Sequence, residues 1–154
     1  MPYLIDGHNL IPKIGLSLDN PDDELELVRF LQDFARIKRQ QVEVYFDGAP
    51  PGSAGTRKLG TVKAHFIPRG QTADSAIRRR LGHMGKSAKN WTVVSSDHEV
   101  QTTAKVHQAA FVSSENFVKA FRAALISASA KEAEERQMSA GEMDEWLNLF
   151  NGKK

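Results

Sequence analysis

Short apolar runs alternate with amphipathic stretches along the whole of this 154-residue chain, and this alternation constrains its fold more than any other feature. The apolar runs are rich in β-branched and aromatic residues, whereas the stretches between them repeat their apolar residues every three to four positions. This pattern predicts a three-layer α/β domain in which helices flank a mainly parallel central sheet. The strands are predicted at residues 3–5, 42–46, 61–67, 91–94 and 109–112.

Capping residues mark where the predicted helices begin. A small polar side chain before a periodic stretch accepts a hydrogen bond from the first free backbone N–H groups of a helix. Four positions have this character: Asn20, which Pro21 follows; Thr72; Ser96, which has capping-box spacing to Glu99; and Ser113 or Ser114. Helices are therefore predicted to start at these four positions.

The segment that follows the second predicted strand is rich in Gly and Pro. Residues 48–55 are predicted to form a loop for this reason. Residues 52–60 are expected to be flexible, with Arg57 and Lys58 near the tip. This region is thus predicted to contribute no strand to the sheet.

The C-terminal segment carries a pattern of its own. Ser139 and Glu142 have the spacing of a second capping box. An apolar stripe follows on one side of a short predicted helix, formed by Met143, Trp146, Leu147 and Phe150. The chain is therefore divided into a domain at residues 1–137 and a C-terminal helix at 138–154. We expect this helix to dock on the domain or on a partner.

Composition excludes several classes of protein. The chain has no cysteine, which excludes disulfides, thiolate metal sites, iron–sulfur clusters and a cysteine nucleophile. No apolar run reaches the roughly 18 residues of a membrane helix. Residues 1–9 also lack the basic and apolar regions of a signal peptide. We therefore expect a cytoplasmic protein without membrane contact.

Acidic residues fall at the points where strands are predicted to end. Asp6, Asp47 and Asp97 each follow an apolar strand, and the carboxyl ends of parallel strands share one edge of a sheet. Asp74 lies in the first turn of the helix that Thr72 starts. Because carboxylates brought together repel each other unless a cation lies between them, this pattern indicates a Mg²⁺ or Mn²⁺ site. Each acid also has a purely structural interpretation, as a helix cap or a turn residue.

Charge is segregated along the chain. Residues 52–90 carry nine Lys and Arg residues against the single acid Asp74, whereas the segments on either side are net acidic. Cations around an acidic metal centre suit a polyphosphate chain, because they pair with phosphates next to the bond that is cut. The residues predicted to bind such a chain are Arg57, Lys58, Lys63, Arg69 and Arg78. The alternative is a solvated basic surface.

Four short motifs occur in order along the chain, followed by a fifth in its tail. They read YLIDGHNLI at 3–11, VYFDG at 44–48, GQTADSAI at 70–77, VVSSD at 93–97 and EMDEWLNLF at 142–150. Together they resemble the YacP-like NYN domains of the PIN-like nuclease superfamily. The resemblance covers nearly the whole chain. It implies a PIN-like (NYN) fold and a metal-dependent endoribonuclease.

The resemblance also implies roles for individual residues. Asp6, Asp74 and Asp97 match the family's acidic metal-site positions. Asn9 matches the polar residue after the first strand, and Asp47 matches a further acid that not every PIN-like domain retains. All five are expected to be catalytic, and the first three are expected to hold the metal.

A mechanism follows from this resemblance as a hypothesis. One or two Mg²⁺ or Mn²⁺ ions would activate a water molecule that hydrolyses an RNA phosphodiester and leaves 5′-phosphate and 3′-hydroxyl ends. A single-stranded RNA is the expected substrate, bound by the basic residues without reading of its sequence. Family members linked to translation and RNA decay extend the expectation to mRNA decay, to translation-linked RNA processing and to the ribosome as a partner.

Two other functions stay open at this point. A non-catalytic RNA-binding module of PIN-like fold would use its acids as caps, and its RNA affinity would not respond to a chelator. A Mg²⁺-dependent phosphatase would turn over small phosphate esters, and it would need neither Arg57 nor Lys58.

Overall fold

A computed structural model describes residues 2–15 and 22–151, with side chains described as far as residue 134. In this part of the chain the strands are β1 (Tyr3–Asp6), β2 (Val42–Ala49), β3 (Gly55–Leu59), β4 (Val62–Pro68), β5 (Thr92–Val94) and β6 (Ala110–Val112). The α-helices are α1 (Gly7–Leu10), α2 (Asp23–Lys38), α3 (Ala73–Met84), α4 (His98–Val106) and α5 (Ser114–Asn151). Short 3-10 helices cover Ile11–Ile14 and Gly85–Asn90.

The six described strands form one sheet in the order β3-β4-β2-β1-β5-β6. Every neighbouring pair is parallel except β3 and β4, which form an antiparallel hairpin. The prediction of a mainly parallel sheet flanked by helices is therefore confirmed. Because the parallel strands run in one direction, β1, β2, β4, β5 and β6 all end at the same side, which we call the carboxyl edge.

Successive residues of the central strands point to opposite faces and fill two separate cores. On one face, Ile5 and Phe46 pack with apolar residues of α2 and α5. On the other face, Leu4, Tyr45 and Val93 pack with apolar residues of α3 and α4. Burying one large apolar side chain contributes roughly 1.5–3 kcal/mol, so these two cores fix the strands that end in the acidic residues.

Two of the predicted helix starts are confirmed. Thr72 caps α3 and Ser113 caps α5, each by accepting a hydrogen bond from a backbone N–H, at 3.0 Å and 3.1 Å. The predicted cap Asn20 lies outside the described residues, and α2 begins at Asp23. The hydroxyl oxygens of Thr72 and Ser113 thus cap the two helices that their positions in the sequence predict.

The capping box predicted at Ser96 is wrong. Asp97 caps α4 instead, because its carboxylate accepts the backbone N–H of Glu99 at 2.9 Å. Ser96 is directed to the start of α5, where its hydroxyl oxygen accepts the backbone N–H of Ser114 at 3.0 Å. A carboxylate is the stronger acceptor for the free N–H groups of a helix, which accounts for the difference.

The loop predicted after the second strand is wrong in part. β2 continues to Ala49, and Gly55–Leu59 forms the edge strand β3. Arg57 and Lys58 therefore lie on a strand rather than at the tip of a flexible loop. The sequence GTRKL does not predict this strand because its residues are mostly exposed and polar, and backbone pairing with β4 holds it in place.

The C-terminal residues continue the last helix. The backbone is helical without interruption from Ser114 to Asn151, so no new helix begins at Ser139. The side chains of the predicted apolar stripe lie outside the described residues, and the division at residues 137 and 138, with docking of the tail, stays a prediction. None of the described helices has both the length and the apolar character needed to cross a bilayer.

Candidate active site

The carboxyl edge gathers polar side chains from neighbouring parts of the fold. Asp6 is the last residue of β1, and Asp97 follows β5. The buried hydroxyl of Ser95 connects the two, because it donates to Asp6 Oδ2 at 3.3 Å and accepts the backbone N–H of Asp97 at 3.1 Å. One serine hydroxyl thus connects the carboxylate of Asp6 with the backbone of Asp97, while the carboxylate of Asp97 caps α4.

The carboxyl group of Asp6 lies in surroundings that disfavour its charge. Burial raises its pKa from 3.8 to about 6, and the negative charge of Asp47 adds to this rise. The hydroxyl of Ser95 and the backbone N–H of Asn9 favour the charged form, but they do not outweigh burial. No Lys or Arg in the described part of the chain is hydrogen-bonded to Asp6. A buried carboxylate beside a second carboxylate is the environment that a bound cation stabilises.

Asn9 ties three elements together. Its side-chain oxygen accepts the backbone N–H of Ser96 at 2.8 Å and the hydroxyl of Ser114 at 2.6 Å. These bonds join α1 to the segment after β5 and to the start of α5. Because a carbonyl oxygen has two lone pairs, both acceptor positions are filled. In this structure Asn9 is a positioning residue for the carboxyl edge.

His8 lies between two carboxylates. Its Nδ1 is 2.8 Å from Asp47 Oδ1, and its Nε2 is 2.8 Å from Glu24 Oε2. The hydrogen bond to Glu24 is the main cause that raises the pKa of His8 from 6.5 to about 9, against the opposing effect of burial. The ring is therefore charged at neutral pH, and both nitrogens donate. This imidazolium fixes the side chain of Asp47.

Asp74 is engaged by protein donors on both carboxylate oxygens. The hydroxyl of Thr103 donates to Oδ1 at 2.9 Å, and Arg78 Nη2 donates to Oδ2 at 3.1 Å. These bonds join α3 to α4. No hydrogen bond links Asp74 to Asp6 or Asp97 within the described structure.

The predicted metal ligands do not form one cluster. Within the described residues, no group of three or more His, Asp or Glu side chains is arranged to hold a metal ion. The chemistry of the donors nevertheless fits a hard cation, because Asp6 supplies a partly buried carboxylate and Asp47 a second one nearby. Both oxygens of Asp74 already accept hydrogen bonds from protein donors, so a cation there would compete with Arg78.

Two of the five predicted RNA contacts lie at the carboxyl edge. The guanidinium of Arg57 lies 4.9 Å from the centre of the Phe66 ring, and both residues line a cavity of about 250 Å³ together with Asp47. Arg69 directly follows β4, and its backbone N–H donates to the carbonyl oxygen of Ala49 at 3.3 Å. A cation and an aromatic ring beside a carboxylate suit a nucleotide.

The other three predicted RNA contacts are placed differently. Arg78 is held in the ion pair with Asp74. Lys58 and Lys63 line a separate cavity where β2 and β4 begin, at the end of the sheet opposite the carboxyl edge. The predicted RNA-binding residues of the basic segment 52–90 therefore do not form one continuous patch around the acids.

Comparison with known proteins identifies the family. The sequence profile of the YacP-like NYN domain matches residues 3–149. This chain belongs to the YacP-like NYN domain family. NYN domains are part of the PIN-like nuclease superfamily, and the resemblance carried by the sequence motifs is thus confirmed. No curated protein matches the chain significantly.

Two crystal structures show the same fold as this YacP-like NYN domain. One is a mutant form of Rae1 (YacP) from Bacillus subtilis, with a TM-score of 0.71 and 19% identity over 91% of this chain and 85% of that chain. The other is Rae1 (YacP) from Bacillus subtilis, with a TM-score of 0.67 and 18% identity over 99% of this chain and 95% of that chain. At this level of identity, the similarity establishes the fold.

Three residues that hold side chains of the candidate site were not predicted from the sequence. Glu24, Ser95 and Thr103 hold His8, Asp6 and Asp74 respectively. Ser95 belongs to the VVSSD motif at 93–97, so the sequence does mark this position. Glu24 and Thr103 each lie on a helix with the appearance of ordinary surface residues, and nothing in the local sequence marks them.

Proposed function

We propose that this YacP-like NYN domain is a metal-dependent endoribonuclease that hydrolyses single-stranded RNA at the carboxyl edge. The observation that carries the proposal is the position of Asp6, a partly buried carboxylate at the end of β1 beside Ser95 and near Asp47. It has no Lys or Arg partner among the described residues. Membership of a nuclease superfamily supports the class of reaction.

We assign the cation to Asp6, Asp74 and Asp97, with Mg²⁺ or Mn²⁺ as the ion. When bound, such an ion supplies positive charge that activates water and stabilises the charge developing on the phosphate. Asp6 contributes a carboxylate that is already largely removed from water. Asp74 contributes when it releases Arg78, and the freed guanidinium then pairs with a phosphate of the RNA.

Other residues of the carboxyl edge position the site and the strand. Charged His8 orients Asp47, and Asn9 keeps the segment before Asp97 in place. Arg57 and Arg69 contact the backbone of the RNA next to the cleaved bond. Phosphate contacts of this kind fix the position of the strand without reading its sequence.

Removing the charge of Asp6 tests the proposal. Asp6→Asn keeps the size of the side chain and an oxygen for the Ser95 hydroxyl. We expect cleavage of a 5′-labelled unstructured RNA in Mn²⁺ to fall by about 10²–10³-fold, as for the loss of one group that stabilises the transition state. The control is Glu26→Gln, which also removes one negative charge, at an exposed residue of α2. Undiminished cleavage by Asp6→Asn, with wild-type metal dependence, contradicts the assignment.

One observation favours a second function, the non-catalytic RNA-binding module. Asp74 is already paired with Arg78, and no three-residue metal group is assembled among the described residues. This function predicts RNA binding that is the same in Mn²⁺ and in EDTA, is unchanged in Asp6→Asn and leads to no cleavage. Where the wild-type protein binds free RNA without cutting it, the same assay with ribosome-bound RNA tests the predicted ribosomal partner.

A further inference from the structure

A cavity of about 700 Å³ opens at the end of the sheet opposite the carboxyl edge. We call it the distal cleft. It lies between the C-terminal end of α2 and the turn that joins β3 to β4. Val42 and Val62, the first residues of β2 and β4, line its wall, and four basic residues lie around it: Arg36, Arg39, Lys58 and Lys63. Among the described residues that line it, none is acidic.

The backbone of the β3–β4 hairpin brings two of these cations together. Lys58 and Lys63 are direct partners in the antiparallel register, so their side chains leave the same face of the hairpin. Like charges at directly opposed positions destabilise a strand pair. Neither lysine makes an ion pair with a described residue. A bound anion would remove this repulsion, so the pair of lysines is suited to bind an anionic group.

The end of α2 adds the other two cations. Arg39 follows the last residue of the helix in the left-handed conformation, with φ of 52°, and its backbone N–H donates to the carbonyl oxygen of Ala35. Arg36 lies one turn earlier and makes an exposed ion pair of 3.6 Å with Asp33. Basic residues at a helix C-terminus also interact favourably with its dipole. That effect accounts for the cations on α2 but not for Lys58 and Lys63, whose side chains leave the face of the sheet opposite to the one on which α2 packs.

The distal cleft is separated from the carboxyl edge by the length of the sheet. Val42 lies at the cleft and Asp47 at the edge, five residues further along β2, which corresponds to about 17 Å. Arg57 lines the cavity beside Asp47 and Lys58 lines the cleft, but the two are consecutive residues of β3, so their side chains leave opposite faces of the strand. Basic residues therefore lie at both ends of the sheet, with Arg69 after β4 at the carboxyl edge and Arg39 and Lys63 at the distal cleft.

We propose that the distal cleft is a second RNA-binding site, which holds the phosphate backbone of the RNA remote from the bond that is cut. The proposal rests on the proposed function for the identity of the ligand. The ligand class is a nucleic acid strand rather than a small anion, because four cations are spread around an open cleft instead of converging on one point. Binding there is independent of sequence and sensitive to salt.

The test measures RNA binding in EDTA, so that cleavage plays no part. The double variant Arg39→Asn/Lys63→Gln removes two charges from the cleft, and Asn tolerates the left-handed conformation of Arg39. The control Lys38→Gln/Lys131→Gln removes two charges from residues that line a different cavity, between α2 and α5. Lys58→Gln is a second test variant. Thermal unfolding of each protein verifies that it is folded.

For a labelled unstructured RNA of about 30 nucleotides, we expect the Kd of the cleft variant to rise by roughly tenfold near 0.1 M salt. The slope of log Kd against log salt concentration should fall by about 1.4, which is 0.7 for each lost phosphate contact. The control should match the wild type, and Lys58→Gln should lower the slope by about 0.7. An unchanged Kd and slope in the cleft variants, or equal weakening in the control, overturns the proposal.

The result is distinguishable from failure of the proposed function. Loss of the nuclease assignment appears as cleavage that does not depend on Asp6 or on metal, whereas the distal cleft is judged only by binding in EDTA. A wild-type protein that binds no RNA in EDTA at low salt also overturns the distal site, whatever the cleavage assay gives.

Discussion

Asp6 and Asp74 hold their negative charges in opposite ways. Asp6 is partly buried and, among the described residues, accepts no hydrogen bond from Lys or Arg, whereas Asp74 shares its oxygens between Thr103 and Arg78. A divalent cation at the carboxyl edge would gain from the first arrangement and would have to compete with Arg78 in the second. Under the proposed function, Arg78 would oppose metal binding and, once released, would assist binding of RNA.

Neutralising Arg78 should strengthen metal binding. Arg78→Gln removes an exposed ion pair worth about 0.2–1 kcal/mol, so the Kd for Mn²⁺ is expected to fall by up to about fivefold. Affinity for RNA in EDTA should fall at the same time, because one cation is lost. Calorimetric titration with Mn²⁺ measures the first effect. The control is Arg79→Gln on the same helix, whose guanidinium bonds Gln71 instead of an acid. Weaker Mn²⁺ binding in Arg78→Gln contradicts this role.

Glu43 is a buried acid whose charge is fully paired. Its side chain is 1% exposed, accepts two hydrogen bonds from Arg80 at 3.1 Å and 2.9 Å, and lies 2.9 Å from His65 Nε2. Burial alone would raise its pKa, but the bonds from His65 and Arg80 outweigh this and lower the pKa from 4.5 to about 2. The network joins β2, β4 and α3. It braces the hairpin that carries the distal cleft.

This pairing predicts how stability responds to acid. Because the folded-state pKa lies below the unfolded value, Glu43 stabilises the protein fully above about pH 4.5, and the effect is lost as the pH falls towards 2. Glu43→Gln imitates the protonated form. We expect the variant to be less stable than the wild type by roughly 3 kcal/mol at pH 7, and this difference should shrink between pH 5 and 2. Urea unfolding at several pH values measures it.

The control for this experiment is the exposed residue Glu26. Glu26→Gln should follow the wild-type stability curve within about 0.5 kcal/mol, as is usual for exposed substitutions. A difference between Glu43→Gln and the wild type that stays constant from pH 7 to pH 2 contradicts the paired state of Glu43.

At the level of elements, the junction of β1 and α1 depends on close packing against β2. Gly7 begins α1 directly after Asp6. A Cβ atom at this position would overlap the ring of Phe46 and would lie 2.9 Å from the carbonyl oxygen of Tyr45. Only glycine therefore lets the chain turn here while it keeps Asp6 and Asn9 at the carboxyl edge.

Adding one methyl group at this junction should destabilise the fold. Gly7→Ala is expected to lower the free energy of unfolding by about 1–3 kcal/mol, because β1 or Phe46 must move. Gly82→Ala is the matched control, since an added Cβ on α3 meets nothing closer than 4.0 Å. That change should stabilise the helix by about 0.5–1 kcal/mol. Chemical denaturation compares the two, and equal stabilities of both variants contradict the packing argument.

For the whole molecule, the sequence was informative where local pattern and tertiary structure agree. Apolar strands that end in Asp6 and Asp47 predicted a parallel sheet with acids at one edge, and the caps at Thr72 and Ser113 predicted two helices. These features are encoded within a few neighbouring residues. The order of the parallel strands then follows from the right-handed connections between them.

The remaining features depend on contacts between distant parts of the chain. Edge strand β3 is held by pairing with β4, so its own exposed sequence gives no strand signal. Glu24 reaches His8, Thr103 reaches Asp74 and Arg80 reaches Glu43 across 16, 29 and 37 positions. No local periodicity encodes such pairs. The acids could be predicted from the sequence, but the partners that set their charge could not.

The most direct measurement of the central claim is end-group analysis of cleaved RNA. Purified protein is incubated with a 5′-labelled unstructured RNA in Mn²⁺ and in EDTA, beside the variant Asp74→Asn. The account predicts internal cuts that require the metal, leave 5′-phosphate and 3′-hydroxyl ends and disappear in the variant. Cuts that persist in EDTA with 2′,3′-cyclic phosphate ends, or that Asp74→Asn leaves undiminished, would contradict it.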